Sequence, residues 1–192
     1  SRKLRRCYAV LLAWSGALRG EATRRGVRKE AVRLCGASAH VEGDLNLPLY
    51  DGDDEDRDGV PAGVQLLADQ IAAADAVLIS TPEYNKGPSG VLKNALDWVS
   101  RTKGKPWAGK PVAVMSAAGG RSGGERAQMV LRGFMVPFQP RLVSGPEVHL
   151  ANSSKEFDEI RPLTSGIDPG PLDKPMQDPR RQIERCRNRN VR

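Results

Sequence analysis

Short apolar runs alternate with stripes of apolar residues at helical spacing through the first 150 residues of the chain. The runs predict buried strands at residues 7–13, 76–79 and 112–115, an edge strand at 40–45 and a short strand between 141 and 150. The stripes predict a helix over residues 21–34 and three further helices, around Val64, Leu67, Ala68 and Ile71, around Leu92, Ala95, Leu96 and Val99, and around Ala127, Val130, Leu131 and Phe134. The acidic run at 51–56 is interpreted as a solvated connection. Strands and helices that alternate in this way predict an α/β protein with a parallel sheet.

The length of 192 residues suits one domain, and the close spacing of the predicted elements leaves no room for a second. Beyond Leu150 the periodicity fades, and five prolines interrupt any long helix. We therefore expect one domain at residues 1–150 and an irregular basic tail at 151–192, packed on that domain or extending from it.

The net charge of +7 and the pI near 9.6 raise the question of a nucleic-acid partner. Residues 1–6 and 174–192 together carry a charge of +9, so the chain between them sums to −2. The basic charge therefore belongs to the two ends and not to a groove of the predicted domain. A solvated tail is favoured over a nucleic-acid arm, and no nucleic-acid partner is expected.

Composition also argues against membrane, export and metal functions. The longest apolar run, residues 7–14, is far shorter than the roughly 20 residues of a membrane span, and no apolar segment precedes a small-residue cleavage site. The three cysteines lie far apart without a C-x-x-C pair, and the chain has only two histidines. We therefore expect a cytoplasmic protein with no membrane association, no disulfide framework and no metal site.

Three loops rich in glycine and polar residues follow predicted strands, at residues 15–20, 81–87 and 116–124. In open parallel sheets ligands bind at the carboxyl ends of the strands, so these loops are candidates for one shared site. The first loop precedes a helix and could receive a phosphate, although it is neither a Walker P-loop nor a G-x-G-x-x-G turn. The alternatives are a plain βα turn for the first loop, packing for Tyr84, a helix cap for Asn85 and a flexible surface loop for the third segment.

The run at 81–98, Thr-Pro-Glu-Tyr-Asn-Lys-Gly-Pro-Ser-Gly-Val-Leu-Lys-Asn-Ala-Leu-Asp-Trp, resembles the signature of the NADPH-dependent FMN reductases. These are flavodoxin-like enzymes that include bacterial quinone and chromate reductases. The run Gly-Gly-Arg-Ser-Gly-Gly-Glu-Arg-Ala-Gln at 119–128 is similar to a second stretch typical of the family. The run Leu-Pro-Leu-Tyr-Asp at 47–51 is similar to the family's loop after the second strand. The likeness covers roughly residues 7–150.

The resemblance implies a flavodoxin-like three-layer sandwich with a five-stranded parallel sheet in the order 2-1-3-4-5. It also implies an enzyme in which FMN passes hydride from NADPH or NADH to quinones, flavins, chromate or similar small-molecule acceptors. Flavin N5 carries the hydride, so no catalytic side chain is required. The residues that the resemblance implies for cofactor binding are Ser15, Gly16, Ala17, Leu18, Arg19, Ala22, Thr23, Pro82, Glu83, Tyr84, Asn85, Ser116, Gly119, Gly120 and Arg121.

The first loop departs from the family pattern at Ala17, Ala22 and Arg24, where Ser, Ser and Asn are common. Arg19 is therefore the side chain expected to hold the FMN phosphate. Two alternatives to a reductase stay open at this point. One is a flavodoxin-like electron carrier, which the high pI disfavours, and the other is a flavin-free binding module.

A homodimer or homotetramer is expected on two grounds. Trp98, Val99 and Trp107 are large apolar residues close in sequence to the predicted flavin loop, and an exposed apolar patch usually meets a partner. The family resemblance implies oligomers as well. The alternative is that both tryptophans pack inside one subunit.

Overall fold

The computed structural model describes residues 8–13, 39–144 and 148–151. Its strands are β1 (Tyr8–Ala13), β2 (Ala39–Glu42), β3 (Ala76–Thr81), β4 (Pro111–Ala117), β5 (Arg141–Leu142) and β6 (Val148–Leu150). Its helices are α1 (Gly52–Asp58), α2 (Ala62–Ala73), α3 (Gly90–Ser100) and α4 (Glu125–Met135), followed by a 3-10 turn at Val136–Phe138. The helix predicted at 21–34 and, apart from Ala151, the predicted tail lie outside the described residues.

The described strands all pair in parallel, as the alternation of strands and helices predicts. β1 lies between β2 and β3, and β4 follows on the far side of β3. β5 pairs with the first residues of β4 and β6 with its last residues, so both extend the sheet on the same side of β4. These connections confirm the predicted α/β class with an open parallel sheet. In the described part of the chain, no helix is long and apolar enough to cross a membrane.

β3 and β4 extend the predicted runs by one or two residues at their ends, and two other strands differ more clearly from their predicted extents. β2 ends at Glu42, and Leu45, which was predicted to belong to it, instead inserts its side chain into the core beyond the strand. The strand predicted between 141 and 150 occurs as two pieces, β5 and β6. Residues 145–147, between the two pieces, lie outside the described residues.

Helices α2 and α3 bury the predicted apolar stripes completely. In α4 the outcome is different: Ala127 and Leu131 are buried, but the other two buried residues are Gln128 and Met135. Val130 and Phe134, which the stripe included, are only half-buried. The buried face of α4 is therefore rotated toward Gln128, which is possible because the NH2 group of its side chain finds polar partners inside the protein.

The interpretation of the acidic run at 51–56 as a connecting loop was wrong, because it forms most of α1. Asp51 is the N-cap of this helix, and its carboxylate accepts a 2.8 Å hydrogen bond from the backbone N–H of Asp53. The acidic residues of the first turn lie where carboxylates interact favourably with the helix dipole. No residue of α1 is buried, so apolar periodicity carries no signal for this helix.

The expectation that Trp98 and Trp107 leave an exposed apolar surface was also wrong. Each tryptophan is only 2% exposed, so both pack inside the subunit. The ring of Trp98 meets that of Tyr50 edge-on with centroids 5.0 Å apart, and Trp107 lies against Phe138 at 6.0 Å. The observed exposure therefore removes this argument for an oligomer.

The loop that carries Tyr50 is fastened to both α1 and α3. The backbone N–H of Tyr50 donates to Asn94 Oδ1 at 2.9 Å, and its hydroxyl donates to Glu55 Oε2 at 3.0 Å. The hydrogen bond to this carboxylate raises the pKa of Tyr50 above its usual value. Glu55 also binds Arg101 Nε at 2.7 Å. The family-like run at 47–51 therefore holds the chain after β2 against both α1 and α3.

Candidate functional site

The carboxyl ends of three strands meet at one edge of the sheet. Thr81 at the end of β3 pairs in register with Ser116 near the end of β4. On the other side of β3, Ala13 at the end of β1 lies opposite Ser80. The chain order reverses between β1 and β3, and ligands bind in the crevice at such a point. The segments that follow these strands are therefore candidates for a shared site.

The loop at residues 82–87 follows β3 and closes a tight turn. The backbones of Tyr84 and Gly87 exchange two hydrogen bonds of 2.9 Å. Asn85 and Lys86 between them have φ of 48° and 66°, as a type I′ turn requires. The N-cap of α3 is Ser89, so Asn85 is not the helix cap. Since the side chain of Tyr84 is 47% exposed, core packing is not its role either.

The loop at residues 118–124 follows β4 and has two different halves. Gly119 and Gly120 are exposed, and no heavy atom lies within 4 Å of the position a Cβ would take on either. Within the described residues, no group accepts a hydrogen bond from their backbone N–H groups. Gly123 and Gly124 have φ of 60° and 92°, a region that favours glycine. This loop therefore begins as an open backbone surface and ends as a close-packed turn.

Glu83 joins the two loops. Its Oε2 accepts hydrogen bonds from the backbone N–H groups of Arg126 at 3.1 Å and Ala127 at 3.3 Å, both in the first turn of α4. A Cβ on Gly124, the residue before α4, would stand 3.6 Å from the Cβ of Glu83. The loop after β3 and the loop after β4 are therefore in direct contact.

A buried polar cluster lies behind the 118–124 loop. Ser116 Oγ donates to the carbonyl oxygen of Gly123 at 2.6 Å. Gln128 Nε2 donates to Ser116 Oγ at 2.9 Å and to the carbonyl oxygen of Val148 at 2.8 Å, with His149 Nδ1 at 3.2 Å. Ser116 and Gln128 are fully buried. The sequence analysis missed Gln128 and His149, although a glutamine between Ala127 and Leu131 on an apolar stripe is a detectable sign of a buried polar contact.

The structure brings together eight of the residues expected at the cofactor: Pro82, Glu83, Tyr84, Asn85, Ser116, Gly119, Gly120 and Arg121. Ser116 points its hydroxyl at the 118–124 loop and Glu83 its carboxylate at α4, so both act within the protein in this structure. Lys86, Arg121 and Arg126 are exposed cations on the same segments. The other expected residues lie outside the described residues: Ser15, Gly16, Ala17, Leu18, Arg19, Ala22 and Thr23.

An open parallel sheet in which β1 lies between β2 and β3, with glycine-containing loops at its carboxyl edge, is typical of a flavodoxin-like α/β protein. Residues 10–155 match the family described as NADPH-dependent FMN reductase. The chain belongs to this family. The assignment confirms the resemblance seen at residues 81–98 and 119–128, and with it the predicted class, an FMN-dependent NAD(P)H oxidoreductase.

Known proteins similar to this chain agree with the assignment. It is 39% identical over 150 residues to an NAD(P)H-dependent FMN reductase of Pseudomonas aeruginosa, covering 77% of this chain and 80% of that protein. It is 46% identical over 102 residues to a quinone reductase of Escherichia coli, covering 53% of this chain and 54% of that protein. Among solved structures, the flavoenzyme NAD(P)H:(acceptor) oxidoreductase FerB of Paracoccus denitrificans superposes with a TM-score of 0.70 at 26% identity, covering 95% of this chain and 96% of that one.

Proposed function

We propose that this chain binds one FMN at the carboxyl edge of its sheet and uses it to reduce quinones and similar small acceptors with NAD(P)H. The observation that carries the proposal is the contact between the 82–87 and 118–124 loops, at the carboxyl edge of the sheet and next to the switch point between β1 and β3, in a chain that belongs to this family. Quinone is the acceptor class we place first, because a quinone reductase is among the similar proteins. Free flavins and chromate remain candidate acceptors in the same class of small oxidants.

The chemistry of this edge fits a flavin. An isoalloxazine is planar, and its carbonyl oxygens and ring nitrogens accept hydrogen bonds. Gly119 and Gly120 present backbone N–H groups and no side chains, which allows close approach of a flat ring. The exposed ring of Tyr84 and the turn at Asn85 lie on the facing loop. Bound FMN would supply the hydride-transfer chemistry, so the protein's task is to bind, orient and expose one face.

We place the ribityl phosphate in the loop after β1, with Ser15, Gly16, Ala17, Leu18, Arg19, Ala22 and Thr23. The support is topological. β1 ends beside β3, and the two described helix starts near this edge already have side-chain acceptors: Ser89 Oγ accepts from Leu92 N–H at the start of α3, and Glu83 accepts from the first turn of α4. The exposed cations Lys86, Arg121 and Arg126 are available to the phosphates of NAD(P)H.

For the whole chain we propose a single flavodoxin-like domain at 1–150 and an accessory tail at 151–192, and we place the protein in the cytoplasm. Within the domain, β5 and β6 would be two halves of one fifth strand, which gives a five-stranded sheet in the order 2-1-3-4-5. The support is that both pieces pair with β4 on the same side. A further support is that the family match covers residues 10–155 and therefore leaves most of the tail outside it.

We also propose a homodimer or homotetramer, now on a different surface. Met129 and Val136 are 68% and 71% exposed, and they are spaced seven residues apart along α4 and the turn that follows it. Gly133 lies between them with open space around it, so a second helix could approach closely. Light scattering at micromolar concentration tests this directly, and a mass near 20.9 kDa with flavin bound would contradict it.

The test of function begins with the visible absorption spectrum of the gently purified protein. We expect a bound flavin, released by heat and identified by chromatography as FMN, at close to one per chain. NAD(P)H oxidation that depends on added quinone then establishes the reductase. Flavin without turnover would indicate an electron carrier, an absence of flavin binding would indicate a flavin-free module, and FAD as the bound species would contradict the cofactor assignment.

A further inference from the structure

Helix α4 begins without a capping side chain of its own. Its N-cap is Gly124, in the left-handed conformation, and this residue makes no side-chain hydrogen bond to the helix. The first backbone N–H groups of a helix need acceptors, and a carboxylate there also interacts favourably with the helix dipole. Glu83, on a different strand-end loop, supplies that carboxylate to Arg126 and Ala127 across 43 and 44 residues of sequence.

The start of α4 also packs closely against Ser116, with no space for a side chain on Gly124. A Cβ on Gly124 would stand 2.8 Å from Ser116 Cβ and 3.0 Å from Ser116 Oγ, and 3.6 Å from Glu83 Cβ. Only a glycine can therefore lie between the end of β4 and the 82–87 loop. The carboxylate of Glu83 and the bare backbone of Gly124 together fix the distance between the two loops.

We infer that Glu83 is a positioning residue and not a ligand that contacts the flavin through its carboxylate. It sets the width of the flavin cleft, by which we mean the space between the turn at Tyr84–Gly87 and the backbone of Gly119 and Gly120. This inference rests on the proposed function for the identity of the ligand, but its geometry is independent of it. Glu83 directly precedes the turn of Tyr84 and Gly87, so its hold on α4 fixes that turn relative to Gly119 and Gly120. Loss of the hold would let the turn move and widen the cleft.

The experiment compares three variants. Glu83→Ala removes the acceptor and its charge, whereas Glu83→Gln keeps an oxygen that can accept from α4 but loses the charge. Glu125→Gln is the matched control, because Glu125 is an exposed carboxylate in the first turn of the same helix. Glu125→Gln therefore loses a similar interaction with the helix dipole without releasing the 82–87 loop.

Two readouts separate positioning from helix stability. The first is hydrogen exchange of the Tyr84 and Gly87 amides in the flavin-free protein, since both are hydrogen-bonded within the turn and their exchange reports its opening. The second is the FMN dissociation constant together with the visible circular dichroism of the bound flavin, which senses how the ring is held. Thermal unfolding of each variant records the general loss of stability.

We expect Glu83→Ala to weaken FMN binding on the order of tenfold, to change the flavin circular dichroism and to speed exchange at Tyr84 and Gly87. Glu83→Gln should recover part of each effect, and Glu125→Gln should leave all of them as in the parent protein. Exchange and FMN binding in Glu83→Ala equal to those of Glu125→Gln would overturn the inference. If Glu83→Ala fails to fold, the inference is overturned by a Glu83→Gln variant that loses FMN binding while its Tyr84 and Gly87 amides exchange as in the parent protein, since the carboxylate would then contact the flavin itself. A parent protein that binds no FMN would instead refute the proposed function, and the exchange comparison would still decide the role of Glu83.

Discussion

The indole N–H of Trp98 donates a 2.8 Å hydrogen bond to the carbonyl oxygen of Pro48, fifty residues earlier in the chain. Asn94, one turn before Trp98 on α3, donates to the same oxygen at 2.9 Å. The loop before α1 is thereby attached to a helix that starts directly after the 82–87 loop. A buried indole with a satisfied N–H at this position serves the architecture of the subunit.

The two buried tryptophans allow a matched test of that hydrogen bond. Trp98→Phe should lower the free energy of unfolding by about 2–3 kcal/mol, since it removes a donor and shrinks a buried ring. Trp107→Phe shrinks an equally buried ring but removes an N–H that has no hydrogen-bond partner among the described residues, so its cost should be smaller by about 1 kcal/mol. Urea denaturation of both variants checks the difference, and equal losses would show that the Pro48 hydrogen bond contributes nothing.

Replacement of Gly124 should be severe. Gly124→Ala places a Cβ 2.8 Å from Ser116 on a residue with φ of 92°, so we expect a loss of about 2–4 kcal/mol in unfolding free energy. Gly90→Ala is the control, because this glycine is the first residue of α3, has no positive φ and has open space around its Cβ position. There alanine should stabilise the helix by about 0.5–1 kcal/mol. Thermal unfolding that moved both variants in the same direction would refute the close contact at Gly124.

The buried amide of Gln128 gives a third prediction. Gln128→Met keeps most of the volume but removes the hydrogen bonds that Nε2 donates to Ser116 Oγ and to the Val148 carbonyl oxygen, so we expect a loss of about 1–3 kcal/mol. Gln65→Met is a suitable control, because Gln65 lies exposed on α2 and its hydrogen bond to Asp69 is exposed too. The control should change the unfolding free energy by less than about 0.5 kcal/mol. The idea fails if chemical denaturation cannot distinguish the two variants.

Arg19 provides a prediction about the cofactor that rests on sequence. Arg19→Ala should weaken FMN binding by about 1.5–3 kcal/mol, the range for a hydrogen bond to a charged group. Lys103→Ala, an exposed cation after α3, controls for the general loss of positive charge and should leave binding unchanged. Fluorescence titration of the flavin-free protein with FMN measures both. An unchanged dissociation constant in Arg19→Ala would mean that the phosphate is held elsewhere.

Local pattern was sufficient for the buried strands and for two helices. The apolar run at 76–79 predicted β3, and the stripe from Val64 to Ile71 predicted α2 together with its buried face. Such elements follow from the chain's own periodicity, because burial of apolar side chains is rewarded wherever they lie on one face. The same periodicity did not predict α1, because this helix has no buried apolar face. It is stabilised by the capping aspartate Asp51 and by acidic residues that interact with the helix dipole.

The sequence by itself determined the class of the sheet, the loops that could carry a ligand and, through the runs at 81–98 and 119–128, the family. Only the tertiary structure decided which way the polar residues of those loops point. Glu83 caps α4, Gln128 is buried and donates to Ser116 Oγ, and both tryptophans are buried within the chain. Each of these depends on a partner that is a dozen to fifty residues away. Apolar burial is non-directional, so the local spacing of apolar residues is enough to predict it. A hydrogen bond needs one particular acceptor at a short distance, and only the folded chain brings the two groups together.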